Sequence, residues 1–215
     1  MNNIEARRPL ASRSTRWAAF LSSFAVRMGL SADAISVGSL VFAAAGAAGL
    51  LWLDRPWNFL LCAAGVQLRL LANLLDGMVA IEGGRKSKVG ALYNEVPDRL
   101  ADSLFLVALG YAVGIPWLGW LAALAAAVTA YIRVLGGTLG LAQDFRGPMA
   151  KPHRMAALTV GCLLAIAEHL WFATPAAEGG RPWALTIAAV IIAAGALVTC
   201  VTRVRAIGRQ LRARP

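Results

Sequence analysis

The sequence has 215 residues, of which 59% are hydrophobic and 15% are charged, and its mean hydropathy is +0.63. A soluble domain needs more polar surface than this composition provides, so a soluble globular protein is excluded. The net charge of +10 would suit nucleic acid, but the charges lie between long apolar runs, and that distribution excludes nucleic acid as the partner.

The first predicted element is a short amphipathic helix. Large apolar side chains recur at helical spacing from Trp17 to Met28, and Arg13 and Arg16 lie nearby. This pattern is typical of a helix that lies in the membrane interface. A cytoplasmic extension of the first membrane span is the alternative. Residues 1–35 are predicted to form a cytoplasmic N-terminus that contains this helix.

Six apolar segments follow, each long enough to cross a bilayer. About 20 residues, rising roughly 1.5 Å each, cross a hydrocarbon core of roughly 30 Å. The predicted spans are residues 36–54, 57–80, 97–115, 117–142, 155–175 and 182–203. The sequence therefore predicts an all-α polytopic protein, with six transmembrane helices in a domain at 36–203 and a basic cytoplasmic tail at 204–215.

Arginine and lysine are distributed unevenly around these spans. Both termini and the loops at 81–96 and 143–154 are rich in basic residues, whereas the intervening loops carry only Arg55 and Arg181. Loops with this excess of positive charge remain on the cytoplasmic side. We therefore expect a multi-pass protein of the plasma (inner) membrane, with both termini and these two loops in the cytoplasm.

The second and third spans contain polar residues that membrane insertion does not favour. Arg69 and Asp76 would each cost about 2.5–3.5 kcal/mol at the middle of a spanning helix, so a functional role is the first hypothesis. Asn73 and Asp76 are three residues apart, and Asn94 and Asp98 are four apart, so each pair shares a helix face. Oxygen ligands on two facing helices suit a hard cation such as Mg²⁺ or Mn²⁺.

Ion pairs at the membrane interface are the alternative interpretation of the same residues. Spacing alone permits Asp76 to pair with Arg69, and Asp102 to pair with Arg99. Such pairs would give the polar residues a structural role and leave no ligands for a metal.

Residues 73–98 resemble the signature of the CDP-alcohol phosphotransferase family, which is D-x-x-D-G-x-x-A-R, a spacer, and then G-x-x-x-D-x-x-x-D. The corresponding segments are Asn73-Leu-Leu-Asp76-Gly77-Met-Val-Ala80-Ile81 and Gly90-Ala-Leu-Tyr-Asn94-Glu-Val-Pro-Asp98. Residues 31–36 resemble a stretch that often precedes the family's first span, and residues 131–133 resemble its arginine segment. Six spans after an interfacial helix also look like the family's fold.

The resemblance implies a transferase of phospholipid biosynthesis that moves a phosphatidyl-type group from CDP-diacylglycerol, or another CDP-alcohol, to an alcohol acceptor and releases CMP. The family uses two divalent cations held by four aspartates, the last of which is the general base. The implied catalytic residue is Asp98, and the implied ligands of Mg²⁺ or Mn²⁺ are Asp76, Asp98, Asn73 and Asn94. The implied nucleotide-binding residues are Asn73, Gly77, Ala80 and Gly90.

A basic group at the cytoplasmic end is the predicted site for an acceptor phosphate or the donor pyrophosphate. Arg133 lies inside the fourth span, in the segment that resembles the family's, and Lys151 and Arg154 follow in the next loop. Ordinary positive-inside charge is the alternative for Lys151 and Arg154. The acceptor itself stays open among glycerol phosphate, inositol phosphate, serine and a second lipid.

Two amides distinguish this chain from the family pattern. Asn73 and Asn94 replace aspartates, so the motif carries −2 rather than −4 against the +4 of two cations, and Ile81 replaces an arginine. A catalytically inactive family member is therefore an alternative, as is a membrane transporter or binding protein. Transporters often contain internal repeats, and none is apparent here. The expected partners are the bilayer and the two substrates, and a homodimer stays open.

Overall fold

The computed structural model describes residues 15–82, 89–171 and 180–214, and these ranges contain helices and no strand. Residues 1–14 of the predicted N-terminus and part of the predicted 81–96 loop lie outside them. The helices are α1 Arg16–Arg27, α2 Ala32–Trp52, α3 Trp57–Glu82, α4 Gly90–Ala112, α5 Pro116–Thr138, α6 Lys151–Trp171 and α7 Trp183–Arg212. The predicted all-α class is confirmed.

Helix α1 is amphipathic and packs on α3. Trp17 and Phe24 are exposed, whereas Ala18 is buried against Leu74 and Met78 of α3. The exposed aromatic side of α1 has the character of a surface that meets lipid headgroups. The structure thus confirms the predicted amphipathic helix before the first span.

A turn separates α1 from α2. Gly29 has a φ of +74°, a conformation that glycine adopts without steric penalty. Ser31 then caps α2, because its hydroxyl accepts a hydrogen bond from the backbone N–H of Ala34 at 3.1 Å. Since the chain turns here, α1 is a separate helix and not an extension of the first span.

Five helices are long and apolar enough to cross a membrane, namely α2, α3 over Trp57–Ala80, α5, α6 and α7. The predicted third span, 97–115, lies in α4, which carries several charged residues near its N-terminus. Helix α4 nevertheless extends along the bundle, since Gly110 near its C-terminus lies against Gly119 of α5. A polytopic membrane fold is confirmed, and the count of six crossings stays a prediction.

The helix bounds differ from the predicted spans at the basic end. Helix α6 begins at Lys151, inside the predicted 143–154 loop, and α7 continues to Arg212, through most of the predicted tail. The predicted spans were limited by charge, but a helix continues past a charged residue until the backbone turns. Gly140, with a φ of +73°, provides such a turn after α5.

A run of small residues, Ala43–Gly49, allows α2 to approach α3 closely. Gly46 and Gly65 face each other, and a Cβ atom at Gly65 would lie 2.7 Å from the carbonyl oxygen of Phe42. Small residues drive helix association in membranes because they bring backbones together. The same pair of helices brings Ser36 of α2 within hydrogen-bond distance of Asp76 of α3.

The ends of several helices meet at one end of the bundle. Arg203 in α7 donates to the carbonyl oxygen of Arg146 at 2.9 Å, and Arg214 donates to that of Leu139 at 2.9 Å. The C-terminal part of α7 is therefore fixed to the α5–α6 connection. The same end contains α1, the polar part of α3 and the start of α4.

Candidate functional site

A cavity of about 580 Å³ opens at this end of the bundle. It is lined by parts of α1, α3, α4, α5, the α5–α6 connection, α6 and α7. Its charged lining residues are Glu95, Asp98, Arg99, Arg133, Lys151, Arg154 and Arg203. Because five of these are basic and two are acidic, the cavity suits an anionic ligand.

Asp98 is bound by donors from two other helices. Its Oδ1 accepts hydrogen bonds from Arg69 Nη2 at 2.5 Å and from Asn73 Nδ2 at 2.7 Å. Its Oδ2 accepts a hydrogen bond from Lys151 Nζ. The structure thus brings together Asn73, Asp98 and Lys151, which the sequence placed in one site, and adds Arg69, for which spacing had suggested Asp76 as a partner.

Asp76 lies beside this group in a more buried position. The hydroxyl of Ser36 donates to Asp76 Oδ2 at 2.5 Å, and the carboxylate interacts electrostatically with Asp98 and Lys151. Ser36 belongs to the stretch at 31–36 that resembles the family's, but its sequence position did not indicate its contact. Only the close packing of α2 on α3 does so.

Asn94 has a different environment from Asn73. It is exposed and lines the cavity, and its side chain forms no hydrogen bond with any residue in the described ranges. Gly77, Ala80 and Gly90, the other predicted nucleotide-binding residues, flank residues 83–88, which lie outside the described ranges. Their role stays a prediction.

A buried chain of alternating charges extends from Lys151 to Arg154. Arg69 also lies 3.9 Å from Asp102, and Arg154 Nη2 lies 2.8 Å from Asp102. The order is therefore Lys151, Asp98, Arg69, Asp102 and Arg154. Burial of an ion requires such partners, since an unpaired charge in a low-dielectric interior is strongly unfavourable.

The ion pairs considered from spacing do not form within the described part of the chain. Arg69 pairs with Asp98 rather than Asp76, and Arg99 lies 3.4 Å from Glu95 and 3.6 Å from Asp98 rather than near Asp102. Spacing within one helix identifies neighbours along that helix. The partner of Arg69 is set by the packing of α3 against α4, whereas Arg99 pairs with Glu95, one turn away on its own helix.

Arg154 is held within the protein. It is 1% exposed, and besides Asp102 it donates to the carbonyl oxygen of Met149 at 2.9 Å. These contacts favour a structural role for Arg154 at the base of the cavity, and Lys151 is the more accessible of the two predicted loop cations, with a side chain that is 20% exposed.

Arg133 also lines the cavity. It forms an ion pair with Glu95, and its Nη1 lies 3.3 Å from Gln143 Oε1. Its guanidinium also stacks over Phe145, 5.3 Å from the ring centroid. Three contacts thus orient Arg133 toward the cavity.

Arg203 is a cavity residue that the sequence analysis did not identify. Its guanidinium donates to the carbonyl oxygens of Arg146 and Thr129 at 2.9 and 2.7 Å. In the sequence it follows the last apolar segment and belongs to a run of arginines, so nothing separated it from positive-inside charge. Arg203 lines the cavity because α7 packs against α5, and the sequence alone does not show this packing.

The motif residues do not fit two divalent cations. The described ranges contain no group of three or more His, Cys, Asp and Glu side chains placed to hold a metal. Both oxygens of Asp98 already accept hydrogen bonds from nitrogen donors. Asp76 retains a carboxylate without a cationic hydrogen-bond partner in the described ranges, so the site fits at most one divalent cation, on Asp76.

No family model matches the chain, but individual proteins do. The phosphatidylinositol phosphate synthase of Mycolicibacterium smegmatis is 27% identical over 190 residues, 85% of this chain and 80% of that protein. The archaetidylinositol phosphate synthase of Aeropyrum pernix is 33% identical over 144 residues, 66% of this chain and 72% of that protein.

Solved structures show the same fold. The Mycobacterium tuberculosis phosphatidylinositol phosphate synthase with CDP-DAG bound has a TM-score of 0.71 at 22% identity, covering 90% of this chain and 94% of that one. The same protein in complex with manganese and citrate has a TM-score of 0.70, covering 89% and 88%. Given the identity to the Aeropyrum synthase and the motif at 73–98, the chain belongs to the CDP-alcohol phosphotransferase family.

Proposed function

We propose that this protein transfers a phosphatidyl-type group from a CDP-alcohol, CDP-diacylglycerol above all, to the hydroxyl group of a phosphorylated alcohol, and releases CMP. The reaction is a step of phospholipid biosynthesis. The observation that carries the proposal is the cationic cavity at one end of a membrane bundle, with Asp98 in its wall. A lipid donor in the bilayer would present its charged headgroup at this depth.

The acceptor is proposed to be of the inositol phosphate class. The relatives named above are a phosphatidylinositol phosphate synthase and an archaetidylinositol phosphate synthase, and a phosphorylated polyol carries the anionic group that the cavity suits. Arg133 is the proposed phosphate-binding residue, because it lines the cavity and is oriented by contacts within the protein. Guanidinium groups bind phosphate oxygens in a bidentate manner. Arg203, like Arg154, is buried and donates to backbone carbonyl oxygens, which favours a structural role.

The chemistry requires a base for the acceptor. The acceptor oxygen attacks the phosphorus that carries the diacylglycerol, the bond from this phosphorus to the CMP oxygen breaks, and CMP leaves with the electron pair. The hydroxyl proton passes to Asp98 Oδ2, which requires an approach of about 2.6–3.2 Å. Arg69 and Asn73 hold Oδ1 and thereby orient the carboxylate.

Lys151 controls access to that base. Its ammonium group donates a hydrogen bond to Oδ2 of Asp98, and it also lines the cavity. The pyrophosphate of the donor would compete for this ammonium group, since both are charged partners within the same cavity. Binding of the donor would thus free Oδ2 for the acceptor hydroxyl.

The proposed cofactor is a single Mg²⁺ or Mn²⁺ ion. When bound at Asp76, such an ion would supply positive charge against the pyrophosphate and the departing CMP. The M. tuberculosis structure in complex with manganese supports the use of a divalent cation. Lys151 and Arg133 would provide the remaining positive charge from the chain itself.

The direct test uses purified protein with CDP-diacylglycerol, Mn²⁺ and one acceptor at a time. Inositol phosphate, glycerol phosphate, serine and unphosphorylated inositol would be compared by CMP release and lipid mass spectrometry. Formation of a phosphatidyl product only with a phosphorylated acceptor is the expected result. Equal rates with serine or inositol would contradict the assigned acceptor class.

A second candidate is a family member that binds CDP-alcohols without transfer. The two amides at Asn73 and Asn94, together with the occupied carboxylate of Asp98, favour it. CMP binding measured by calorimetry, with no CMP release from CDP-diacylglycerol under any acceptor, would identify this second function.

The cavity is proposed to open to the cytoplasm, because α1, the α5–α6 connection and the arginine-rich C-terminal part of α7 lie at its end of the bundle. Ser87 and Gly179 would be natural labelling positions but lie outside the described ranges, so exposed residues at each end are chosen instead. In a background without native cysteines, the Gln210→Cys variant should react with an impermeant thiol reagent only after the cells are opened. The Arg181→Cys variant should react in intact cells, and the reverse pattern would contradict the topology.

Removal of Arg133 should weaken acceptor binding. We expect Arg133→Ala to raise the KM for a phosphorylated acceptor by roughly 10–100-fold, since a hydrogen bond to a charged group contributes about 1.5–3 kcal/mol. The KM for CDP-diacylglycerol should change much less. Arg181→Ala, at the other end of the bundle, is the matched control, and unchanged kinetics of Arg133→Ala would remove this residue from the site.

A further inference from the structure

Arg69 is completely buried in the structure. Its exposed fraction is 0%, and it lies one helical turn before Asn73 on α3, so both side chains face Asp98 on α4. Few arginines are buried to this extent unless they are paired. The pairing with Asp98 at 2.5 Å and the proximity to Asp102 at 3.9 Å show where its charge is used.

The guanidinium of Arg69 is not used for its full set of hydrogen bonds. Its Nε and Nη1 atoms have no hydrogen-bond partner in the described ranges. A buried arginine that served only to crosslink helices would be expected to have its donors satisfied. The contribution of Arg69 is therefore mainly its positive charge, placed between two carboxylates.

Asn73 matches this arrangement. Its Nδ2 donates directly to Asp98 Oδ1 at 2.7 Å, a contact that leaves no room for an ion between the two side chains. An aspartate at this position could not donate, and its charge would repel Asp98 unless a cation lay between them. The amide of Asn73 and the guanidinium of Arg69 thus both donate hydrogen bonds to Asp98 Oδ1.

The carboxylates around Asp98 are compensated without a metal ion. The three carboxylates of Asp76, Asp98 and Asp102 are accompanied by Arg69, Lys151 and Arg154. Arg99, which also pairs with Glu95, lies 3.6 Å from Asp98 as well. Two divalent cations would add +4 to a group that has no excess of negative charge. A single divalent cation next to Asp76 would add +2, and the negative charge of the bound donor would offset it.

We infer that Arg69 is a built-in cation, which with Lys151 occupies the place of a divalent ion at Asp98, so that the chain binds at most one divalent ion. The inference deepens the proposed function, because it assumes that the cavity binds a nucleotide together with a metal. The inference does not depend on whether the protein transfers a phosphatidyl group, because it predicts only how many ions the protein binds. Arg69 is a positioning residue, and the ion that it replaces is the one that Asp98 would otherwise ligate.

The test counts Mn²⁺ ions bound per chain in detergent, with CMP present, by calorimetry and by electron paramagnetic resonance. Four proteins are compared: the native chain, the Asn73→Asp/Asn94→Asp variant, the same variant with Arg69→Met, and the same variant with Arg69→Lys. Arg69→Met removes the charge while keeping an unbranched apolar side chain, and Arg69→Lys keeps the charge. The Leu68→Met variant, next to Arg69 on the exposed side of α3, is a control for substitution within this helix.

We expect one Mn²⁺ in the native chain and in the Asn73→Asp/Asn94→Asp variant, and two when Arg69→Met is added. The Arg69→Lys combination should remain at one. Two ions in the native chain, or in the Asn73→Asp/Asn94→Asp variant while Arg69 is present, would overturn the inference. The native chain and the Asn73→Asp/Asn94→Asp variant test the inference even if the Arg69 variants do not fold. A spin-coupled Mn²⁺ pair in either of these two proteins would overturn it.

The result separates this inference from the proposed function. A native chain that binds one Mn²⁺ with CMP but releases no CMP from CDP-diacylglycerol would support the inference and contradict transfer. A native chain that binds two ions and performs the transfer would contradict the inference and support the proposed function.

Discussion

Asp98→Asn is expected to lower the kcat of phosphatidyl transfer by about 10²–10⁴-fold, which is the usual contribution of a positioned general base. The amide keeps the shape of the side chain but cannot accept the proton of the acceptor hydroxyl. The KM for CDP-diacylglycerol should change little, because Asp98 acts on the acceptor. Measurement of CMP release over a range of donor and acceptor concentrations would separate kcat from KM.

Loss of the charge on Asp98 also affects folding. Arg69 would keep a buried charge beside a neutral amide, and breaking a buried ion pair commonly costs about 3–5 kcal/mol. Thermal unfolding and CMP binding must therefore be measured on the same preparation. Asp54→Asn makes the same chemical change at an exposed position in the α2–α3 connection and should leave kcat unaltered.

A variant that still binds CMP yet loses activity would locate Asp98 in the chemical step. A variant that binds CMP and keeps the native kcat would show that another group takes the proton. Glu95 is the other carboxylate in the cavity wall, so Glu95→Gln would be the next substitution to measure.

The second large effect concerns metal affinity. We expect Asn73→Asp combined with Asn94→Asp to tighten Mn²⁺ binding by about 10²–10⁴-fold, because changes to groups around a metal alter its affinity by about 10–100-fold each. Two added carboxylates attract a cation that the native motif, with two amides, attracts weakly. Asp76→Asn is expected to abolish binding, because it removes the proposed anchor of the ion.

Calorimetric titration with Mn²⁺ in the presence of CMP measures this effect without a requirement for turnover. Asn58→Asp, at the far end of α3, is a matched amide-to-carboxylate control and should not change the affinity. If the paired variant binds Mn²⁺ no more tightly than the native chain, Asn73 and Asn94 do not face the ion, and the alignment of residues 73–98 with the family signature would be wrong in register.

Much of the fold is determined by local features of the sequence. Long charge-free segments are enough to indicate spanning helices, since the hydrocarbon core admits little else. The amphipathic spacing from Trp17 to Met28 predicts α1, and the turn at Gly29 explains why it ends. The bounds near Lys151 and Arg212 were missed because a charge marks where lipid ends, whereas a helix ends where its backbone turns.

Local features of the sequence determined only part of the site. Fixed spacing within one helix is a local property, so the sequence by itself identified Asn73, Asp76, Asn94 and Asp98 as a motif and placed it at the basic end. The sequence also marked Arg69 as too unfavourable in a membrane to lack a role.

Only the tertiary structure decided which partners these residues have. Asp98 receives Arg69 and Asn73 from α3 and Lys151 from α6, and Ser36 reaches Asp76 from α2. These contacts join residues 25 to 53 positions apart in the chain, and no helical period relates them. They exist because buried charges must find counter-charges across helix interfaces, and the packing of the bundle determines which ones are within reach.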